Sequence, residues 1–161
     1  MNETKLEKII RSRDDARIVL MGVPDVPGVA ATVFSALAEK NIAVQMIVQN
    51  NMRGGITDIA FLVRKKRLDD AIDICRQTAE KIEAQGVSFN SEIACVSIYG
   101  QNLAESPDVP SRMFAALAAA GVNIQMIGSN FLSITCVVAE TAADKALDAL
   151  SKEFPGLREL Q

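Results

Sequence analysis

A loop that leads directly into a predicted helix holds the residues with the clearest potential for chemistry. Residues 23–30 read VPDVPGVA, and the apolar positions that follow recur at helical spacing. The first N–H groups of a helix lack intrahelical acceptors, and the helix dipole makes that end attractive to a carboxylate. Gly28 has no Cβ to keep a ligand from the backbone, and Asp25 offers a negative charge to an ammonium. Together they suit the head group of a free amino acid.

The same loop also has a simpler structural interpretation. Asp25 would cap the helix, Pro27 would fix its first turn and Gly28 would relieve crowding. Because helix caps are common and ligand loops are not, the segment taken alone favours this second interpretation.

Further polar residues flank predicted strands. Gln49 and Asn50 end the strand that follows the helix, where an amide can donate to and accept from an amino-acid head group. A satisfied turn explains these two residues equally well. Asn123 starts a later apolar strand, residues 123–127, and a polar residue there needs a partner.

The chain repeats itself at an offset of 80 positions. FSALAEKNIAVQMI at residues 34–47 returns as FAALAAAGVNIQMI at residues 114–127. A fixed offset predicts two copies of one structural unit, each of about 75–80 residues and near the lower size at which a core supports itself. Two similar surfaces side by side can hold a small ligand in the seam between them, with no catalytic machinery.

Each copy is expected to have the order β-α-β-β-α-β, the α+β ferredoxin-like unit whose antiparallel sheet carries two helices on one face. The strands expected in copy one are residues 17–21, 42–48, 56–63 and 87–89, with a polar turn at 49–55 and helices at 28–41 and 68–82. Those expected in copy two are residues 93–99, 122–128 and 131–138, with helices at 109–120 and 141–154, the latter capped by Thr141.

The last strand of copy two has two candidate sources. Residues 155–160 make a poor strand, and the N-terminal piece at residues 6–10 has no other role. The expected domains are therefore an N-terminal segment at 1–16, a candidate strand for the second unit, a first domain at 17–91 and a second domain at 92–161.

Composition excludes several classes of function. The formal net charge is −3, and the only basic run, residues 64–67, is interpreted as a solvated face, so no nucleic-acid partner is expected. RNA-recognition modules share the β-α-β-β-α-β order but stack bases on aromatic residues, and this chain has one Tyr and no Trp. No apolar run approaches the roughly 20 residues that span a bilayer, and the N-terminus has no secretory pattern, so no membrane partner is expected.

The cysteines and the missing histidines narrow the chemistry further. Cys75, Cys95 and Cys136 are scattered, odd in number and flanked by apolar residues, which predicts buried thiols in a reducing, cytoplasmic compartment. There is no His, no CxxC pattern and no phosphate-binding loop. We therefore expect no catalytic residue, no metal and no cofactor. A hydrophobic content of 49% with few aromatics predicts that the chain also buries surface against a partner.

At this point the residues resemble a known family. VPDVPGVAATVFSALAEKNIAVQMIVQN, followed by GGITDIAFLV, closely resembles the regulatory half of aspartokinase, which is a tandem pair of ACT domains. The similarity continues through VSIYG and MFAALAAAGVNIQMI to ALDALSKEF, and so covers nearly all of residues 17–154. The Lys-Gly-Gly segment of the kinase half is missing. The chain therefore looks like a separately expressed β-type regulatory subunit or a fragment of a longer enzyme.

The resemblance implies a function for the candidate residues. In that family threonine and lysine, the pathway end products, bind at the seam between two ACT units and inhibit the enzyme that makes aspartyl phosphate from aspartate and ATP. The implied partners are a free amino acid, threonine as first choice and lysine second, an aspartokinase catalytic domain or subunit, and a second copy in a homodimer. The implied effector-binding residues are Asp25, Gly28, Ala30 and Gln49 in copy one, and Asn123 and Ile124 in copy two.

The equivalent site in copy two departs from the family pattern. The family's His-Pro-Gly-Val string is Ser-Pro-Asp-Val at residues 106–109, so Asp108 replaces the glycine. Ala43 stands where an Asn is expected, and residues 128–132 read GSNFL instead of Ser-Thr-Ser-Glu-Ile. We therefore predict one functional class of effector site. The alternative function is an assembly module that pairs ACT units and has lost its ligand site.

Overall fold

The chain folds into two units, each with its own core. The computed structural model describes residues 3–161, so the first two residues of the expected N-terminal segment lie outside it. The first unit is Asp14–Ser91, and the second unit combines residues 3–13 with Glu92–Gln161. In chain order the described strands and helices are β1 (Lys5–Ser12), β2 (Asp15–Pro24), α1 (Val29–Glu39), β3 (Val44–Asn51), β4 (Ile56–Arg64), α2 (Leu68–Lys81), β5 (Gly86–Asn90), β6 (Ile93–Gln101), α3 (Asp108–Ala119), β7 (Met126–Ser129), β8 (Ser133–Ala139), α4 (Ala143–Glu153) and β9 (Arg158–Leu160).

The first unit has the expected ferredoxin-like arrangement. Its sheet has the strand order β3-β4-β2-β5, and every neighbouring pair is antiparallel. Alternate apolar residues of β2 and β4 face the core, where Ile18, Leu20 and Phe61 are fully buried. The Phe61 ring meets Phe34 of α1 edge to face, with ring centroids 5.3 Å apart. The fold class expected from the periodicity is thus confirmed.

The second unit repeats this plan with one addition. Its sheet has the order β7-β8-β6-β1-β9. Strand β1, from the start of the chain, is antiparallel to β6 and occupies the place that β5 takes beside β2 in the first unit. The short β9 pairs in parallel with β1, so residues near both ends of the chain enter this sheet.

Several expected boundaries were wrong. Gln49 and Asn51 were expected in a turn, but they continue the ladder of β3 opposite Ile59 and Thr57. Strand β3 starts later than expected and carries an irregularity between Gln45 and Val48. Polar residues can extend an edge strand because the neighbouring strand satisfies their backbone groups.

The middle strand of the second unit was predicted too long. Residues 122–128 were expected as a strand, but β7 covers only Met126–Ser129. After α3 the chain first forms a turn, in which the Val122 N–H donates to the Leu117 carbonyl at 2.9 Å. The predicted cap at Thr141 was also wrong, because Thr141 lies in a short 3-10 turn and α4 begins at Ala143 without a side-chain cap.

The cysteines are buried, as predicted. Cys75, Cys95 and Cys136 are all buried inside the two units, and none of them forms a disulfide within residues 3–161. Burial raises the pKa of Cys75 and of Cys136 to about 12. Among residues 3–161, no helix combines the length and apolar character needed to cross a bilayer.

Candidate functional site

The N-terminus of α1 is open to an anion. Gly28 is the N-cap residue and adopts φ 93°, a left-handed conformation that favours glycine. Its carbonyl accepts hydrogen bonds from the N–H and the hydroxyl of Thr32, at 3.0 and 2.9 Å. Within residues 3–161 no side chain caps this helix, and its first turn contains no acidic residue. A Cβ built on Gly28 would meet no atom within 4 Å, so the approach to the backbone is unobstructed.

Asp25 does not cap α1, and the simpler interpretation of this loop was wrong on that point. The N-cap is Gly28, Pro27 precedes it, and the cap makes no side-chain hydrogen bond. Asp25 is exposed, and its backbone N–H donates to the Gly55 carbonyl at 2.9 Å. The loop between β3 and β4 therefore holds Asp25 by its backbone and leaves its carboxylate on the surface beside the helix terminus.

Ala30 and Gln49 lie on the same side of the first unit. Ala30 is exposed in the first turn of α1. Gln49 is exposed and sits opposite Ile59, whose side chain belongs to the core under the helices. Since residues opposite each other in an antiparallel pair share a face, Gln49 lies on the helix-covered face of the sheet. The first unit thus places all four of its predicted residues around one helix terminus and one strand end.

Asn123 and Ile124 lie in the second unit, in the irregular segment before β7. Asn123 is exposed, so the argument that it needs a protein partner fails. Ile124 is half-buried and packs against the core of that unit. The next residue, Gln125, has a buried Oε1 without a hydrogen-bond partner in the described part of the chain. An unsatisfied buried acceptor is costly, so this segment has a place for a donor group.

Three residues near the α1 terminus were missed in the sequence. Gly22 forms an irregularity in β2, and its N–H donates to Oδ1 of Asp58 at 2.9 Å. Thr57 Oγ1 donates to the carbonyl of Asn50 at 2.6 Å. A glycine inside an apolar strand is a signal for a bulge, and a carboxylate inside an apolar strand is a signal for a hydrogen-bond role. Both signals were present in the sequence.

The corresponding helix terminus of the second unit carries a carboxylate of its own. α3 begins at Asp108, which accepts a hydrogen bond from Ser106 Oγ at 2.7 Å. That hydrogen bond, with help from nearby Arg112, holds the pKa of Asp108 below its usual range. Arg112 also donates to Glu153 at the end of α4, at 2.7 Å. An ionised carboxylate therefore occupies the end of the α3 dipole, where a ligand carboxylate would bind.

A surface cavity of about 820 Å³ adjoins this terminus. Its walls are mainly apolar, and Glu105 is the acidic residue in its lining. Its lining residues are Leu103, Ala104, Glu105, Ser106, Pro107, Pro110, Ser129, Asn130, Phe131 and Ile134. Space is therefore available in the second unit, but the charge around it disfavours an anion. Among residues 3–161 no cluster of three or more His, Cys, Asp or Glu side chains could hold a metal ion.

Comparison with protein families gives two matches to one model, described as an ACT domain, at residues 18–78 and 96–154. The chain belongs to the ACT domain family. One match falls in each unit, so the two units are ACT units. All of the described residues fall within these two units.

Aspartate kinases are among the relatives of this chain. Aspartate kinase of Pseudomonas fluorescens (strain SBW25) is 38% identical over 154 residues, which are 96% of this chain and 37% of that protein. The chain thus spans little more than a third of that relative's length. The ligand-free regulatory subunit of aspartate kinase from Thermus thermophilus is 37% identical with a TM-score of 0.89, covering 93% of this chain and 99% of that one. A structure of aspartokinase alpha and beta subunits is 32% identical with a TM-score of 0.86, covering 92% of this chain and 98% of the other.

Proposed function

We propose that this chain is a regulatory module that binds a free amino acid and carries feedback inhibition to an aspartate kinase catalytic domain or subunit. The observation that carries the proposal is the uncapped N-terminus of α1 at Gly28. The effector's carboxylate binds the first N–H groups of that helix, and Asp25 pairs with its ammonium. The relatives named above support the regulatory assignment.

Six residues are proposed to bind the effector. Asp25 and Gly28 hold the charged head group, Ala30 keeps the first helical turn free of a bulky side chain, and Gln49 offers an amide to the ligand. Asn123 and Ile124, in the second unit, are proposed effector-binding residues as well, with Asn123 as a donor and acceptor and Ile124 as an apolar contact.

Threonine is the proposed effector, with lysine as the alternative. Asp25 is the one carboxylate among the six proposed residues, and it pairs with the α-ammonium. A lysine side chain would bring a second ammonium that needs its own anion, whereas the threonine hydroxyl needs only a neutral partner such as the amide of Gln49.

Regulation requires that the effector prefer one arrangement of the assembled enzyme. We propose that the module assembles as a homodimer and that the bound amino acid stabilises the arrangement in which the attached kinase is inactive. Such coupling typically amounts to about 1–3 kcal/mol, and by linkage the kinase substrates then weaken effector binding by the same factor.

Calorimetric titration and thermal denaturation of the whole chain with threonine and with lysine test the proposal. At 100 times the dissociation constant, the bound state gains roughly 2.7 kcal/mol, equivalent to a rise in Tm of about 5–10 °C. Glycine serves as a control with the same head group but no side chain. If threonine and lysine both leave Tm unchanged at millimolar concentration, the proposal is wrong.

A second candidate function is assembly alone, and the apolar surface of the second unit favours it. Phe131 is 79% exposed and Leu132 is 60% exposed, which is unusual for two adjacent large apolar residues. Asp25→Ala separates the two functions. Under our proposal it abolishes the thermal response to the amino acid while sedimentation shows the same oligomeric state; a chain with only the assembly function has no response to lose.

A further inference from the structure

Two residues near the start of β4, Thr57 and Asp58, contact both segments that carry the proposed effector site. We propose that Thr57 and Asp58 are positioning residues. They hold the loop at residues 25–28, here called the effector loop, and the end of β3 in their binding geometry. This inference rests on the proposed function. Neither residue is among those that would contact the ligand.

Asp58 fixes the start of the effector loop. The ladder between β2 and β4 is irregular between Leu20 and Val23, and Gly22 adopts φ 58° at that point. A bulge removes a backbone N–H from the ladder, so it needs another acceptor. The half-buried Oδ1 of Asp58 accepts from the Gly22 N–H at 2.9 Å. The bulge thus has one defined geometry, from which the chain continues through Pro24 to Asp25.

The surroundings of Gly22 leave it little freedom. A Cβ at this position would collide with the side chain of Gln85, and the Gln85 N–H donates to the Met21 carbonyl at 2.9 Å. Gly22 is therefore held from one side by Asp58 and from the other by Gln85. A loop anchored so firmly three residues before Asp25 can present that carboxylate in a constant position.

Thr57 fixes the other segment. It is 1% exposed, and its hydroxyl donates to the Asn50 carbonyl at 2.6 Å, next to Gln49. In the ladders Thr57 stands opposite Val23 on one side and Asn51 on the other. One row of the sheet thus joins the start of the effector loop to the end of β3, and Thr57 lies at its centre.

The second unit shapes its equivalent loop by other means. Asn102 stands 80 positions after Gly22 and also has a left-handed backbone, with φ 59°. Its side-chain amide donates to the Glu3 carbonyl at 3.2 Å. At the start of β8, Asn130 Oδ1 accepts from the N–H groups of Leu132 and Ser133. The Thr57 and Asp58 arrangement therefore belongs to the unit with the open helix terminus.

Two measurements on the full chain test the proposal: calorimetric Kd values for threonine and lysine, and ligand-free amide hydrogen exchange at Asp25 and Val26, whose N–H groups donate to the carbonyls of Gly55 and Pro24. Asp58→Ala should weaken binding at least tenfold and speed exchange of those amides at least tenfold. Asp58→Asn keeps an acceptor oxygen, so its Kd should stay within threefold of the wild-type value. Thr57→Val should weaken binding at least fivefold, and Thr57→Ser should restore it.

Thr78→Val is the matched control. Thr78 lies in the same unit, is 3% exposed, and donates its hydroxyl to the Ile74 carbonyl at 2.8 Å within α2. It should lose stability much as Thr57→Val does, with unchanged Kd and unchanged loop exchange. If Asp58→Ala does not fold, the comparison of Thr57→Val with Thr78→Val decides the question.

Each outcome has one meaning. Wild-type Kd and loop exchange in both Asp58→Ala and Thr57→Val would overturn the positioning role, and so would equal weakening in Thr57→Val and Thr78→Val. If the wild-type chain binds neither amino acid, the proposed function fails, and the exchange rates still decide whether Thr57 and Asp58 hold the loop.

Discussion

The first helices of the two ACT units, α1 and α3, differ in the charge at their N-termini. α1 starts behind Gly28 with no side-chain cap and no acidic residue in its first turn. α3 starts with Asp108, whose ionised carboxylate is held by Ser106 and approached by Arg112. The two positions are 80 residues apart and equivalent in the repeat. A repeated fold therefore does not imply a repeated site, because one residue at the helix terminus decides whether an anion is attracted or repelled.

The difference extends to the residues around each terminus. Near α1, residues outside the helix hold the backbone. Asp58 accepts a hydrogen bond from the Gly22 N–H, and the Gly55 carbonyl accepts one from the Asp25 N–H. Near α3 a network of side chains runs from Ser106 through Asp108 and Arg112 to Glu153. The first unit keeps its helix end available, whereas the second unit uses its helix end to join two of its own helices.

The largest expected effect comes from giving the first unit the residue of the second. Gly28→Asp should weaken binding of the amino acid at least 100-fold, because the new carboxylate occupies the anion position. The substitution also places a side chain at φ 93°, which costs roughly 1–2 kcal/mol. Titration calorimetry measures the affinity.

Gly28→Ala is the control for that substitution. It carries the same backbone strain without the charge, so Tm should fall similarly in both variants while Ala loses far less affinity than Asp. Equal affinities for the two variants would show that charge at the helix terminus does not distinguish the units.

A smaller effect is expected at the terminus of the second unit. Asp108→Asn removes the charge that favours the α3 dipole, and Tm at pH 6 should fall by about 1–3 °C. The folded-state pKa of Asp108 is lowered, so its contribution is present above its unfolded pKa and is lost as pH falls through the folded value.

The pH dependence of that loss can be checked by thermal denaturation. The Tm values of wild type and Asp108→Asn should differ at pH 6 and converge once the pH lies below the lowered folded-state pKa of Asp108. A difference that persists below that pH would mean that the substitution acts through packing and not through the charge.

The smallest difference between the two units is expected at their buried cysteines, whose surroundings are alike. Cys75 and Cys136, one in each core, both have a pKa of about 12 because they are buried. Neither should react with a thiol reagent at pH 8 in the native protein, and both should react in denaturant. Since the unfolded thiol ionises near pH 9, the stability that each contributes is constant below pH 9 and declines above it. Rapid labelling of one thiol alone would reveal local opening of that unit.

Much of the fold could be predicted from the residues, because its signals are local. The spacing of Val33 and Leu37 indicated a helix, and both are buried in α1. The 80-residue repeat implied the same α+β order twice, which the two sheets confirm. Gly28 stood out because a glycine just before a helical pattern indicates the start of a helix, and the structure places Gly28 at the N-cap of α1.

What was missed depends on partners distant in the sequence. Gln49 looked like a turn residue because its polarity hid the pairing with Ile59 of β4. Asn123 was expected in a strand because of the β-propensity of its neighbours. That propensity does not show that the irregular segment after α3 continues up to Met126, where β7 begins. The contact between Asp58 and Gly22 crosses 36 residues and depends on the register of two strands, which no local pattern in the sequence encodes.

The placement of β1 in the second sheet has a consequence for biosynthesis. The neighbour of β1, strand β6, is made about 80 residues later, and the whole first unit lies between them in the chain. At a synthesis rate of about 5–20 residues per second, β1 waits roughly 4–16 s for its pairing partner. The first unit is contiguous and can fold as it leaves the ribosome, whereas the second can complete its sheet only after its last strand, β9, has been made. Until then, a chaperone can bind the apolar residues of β1.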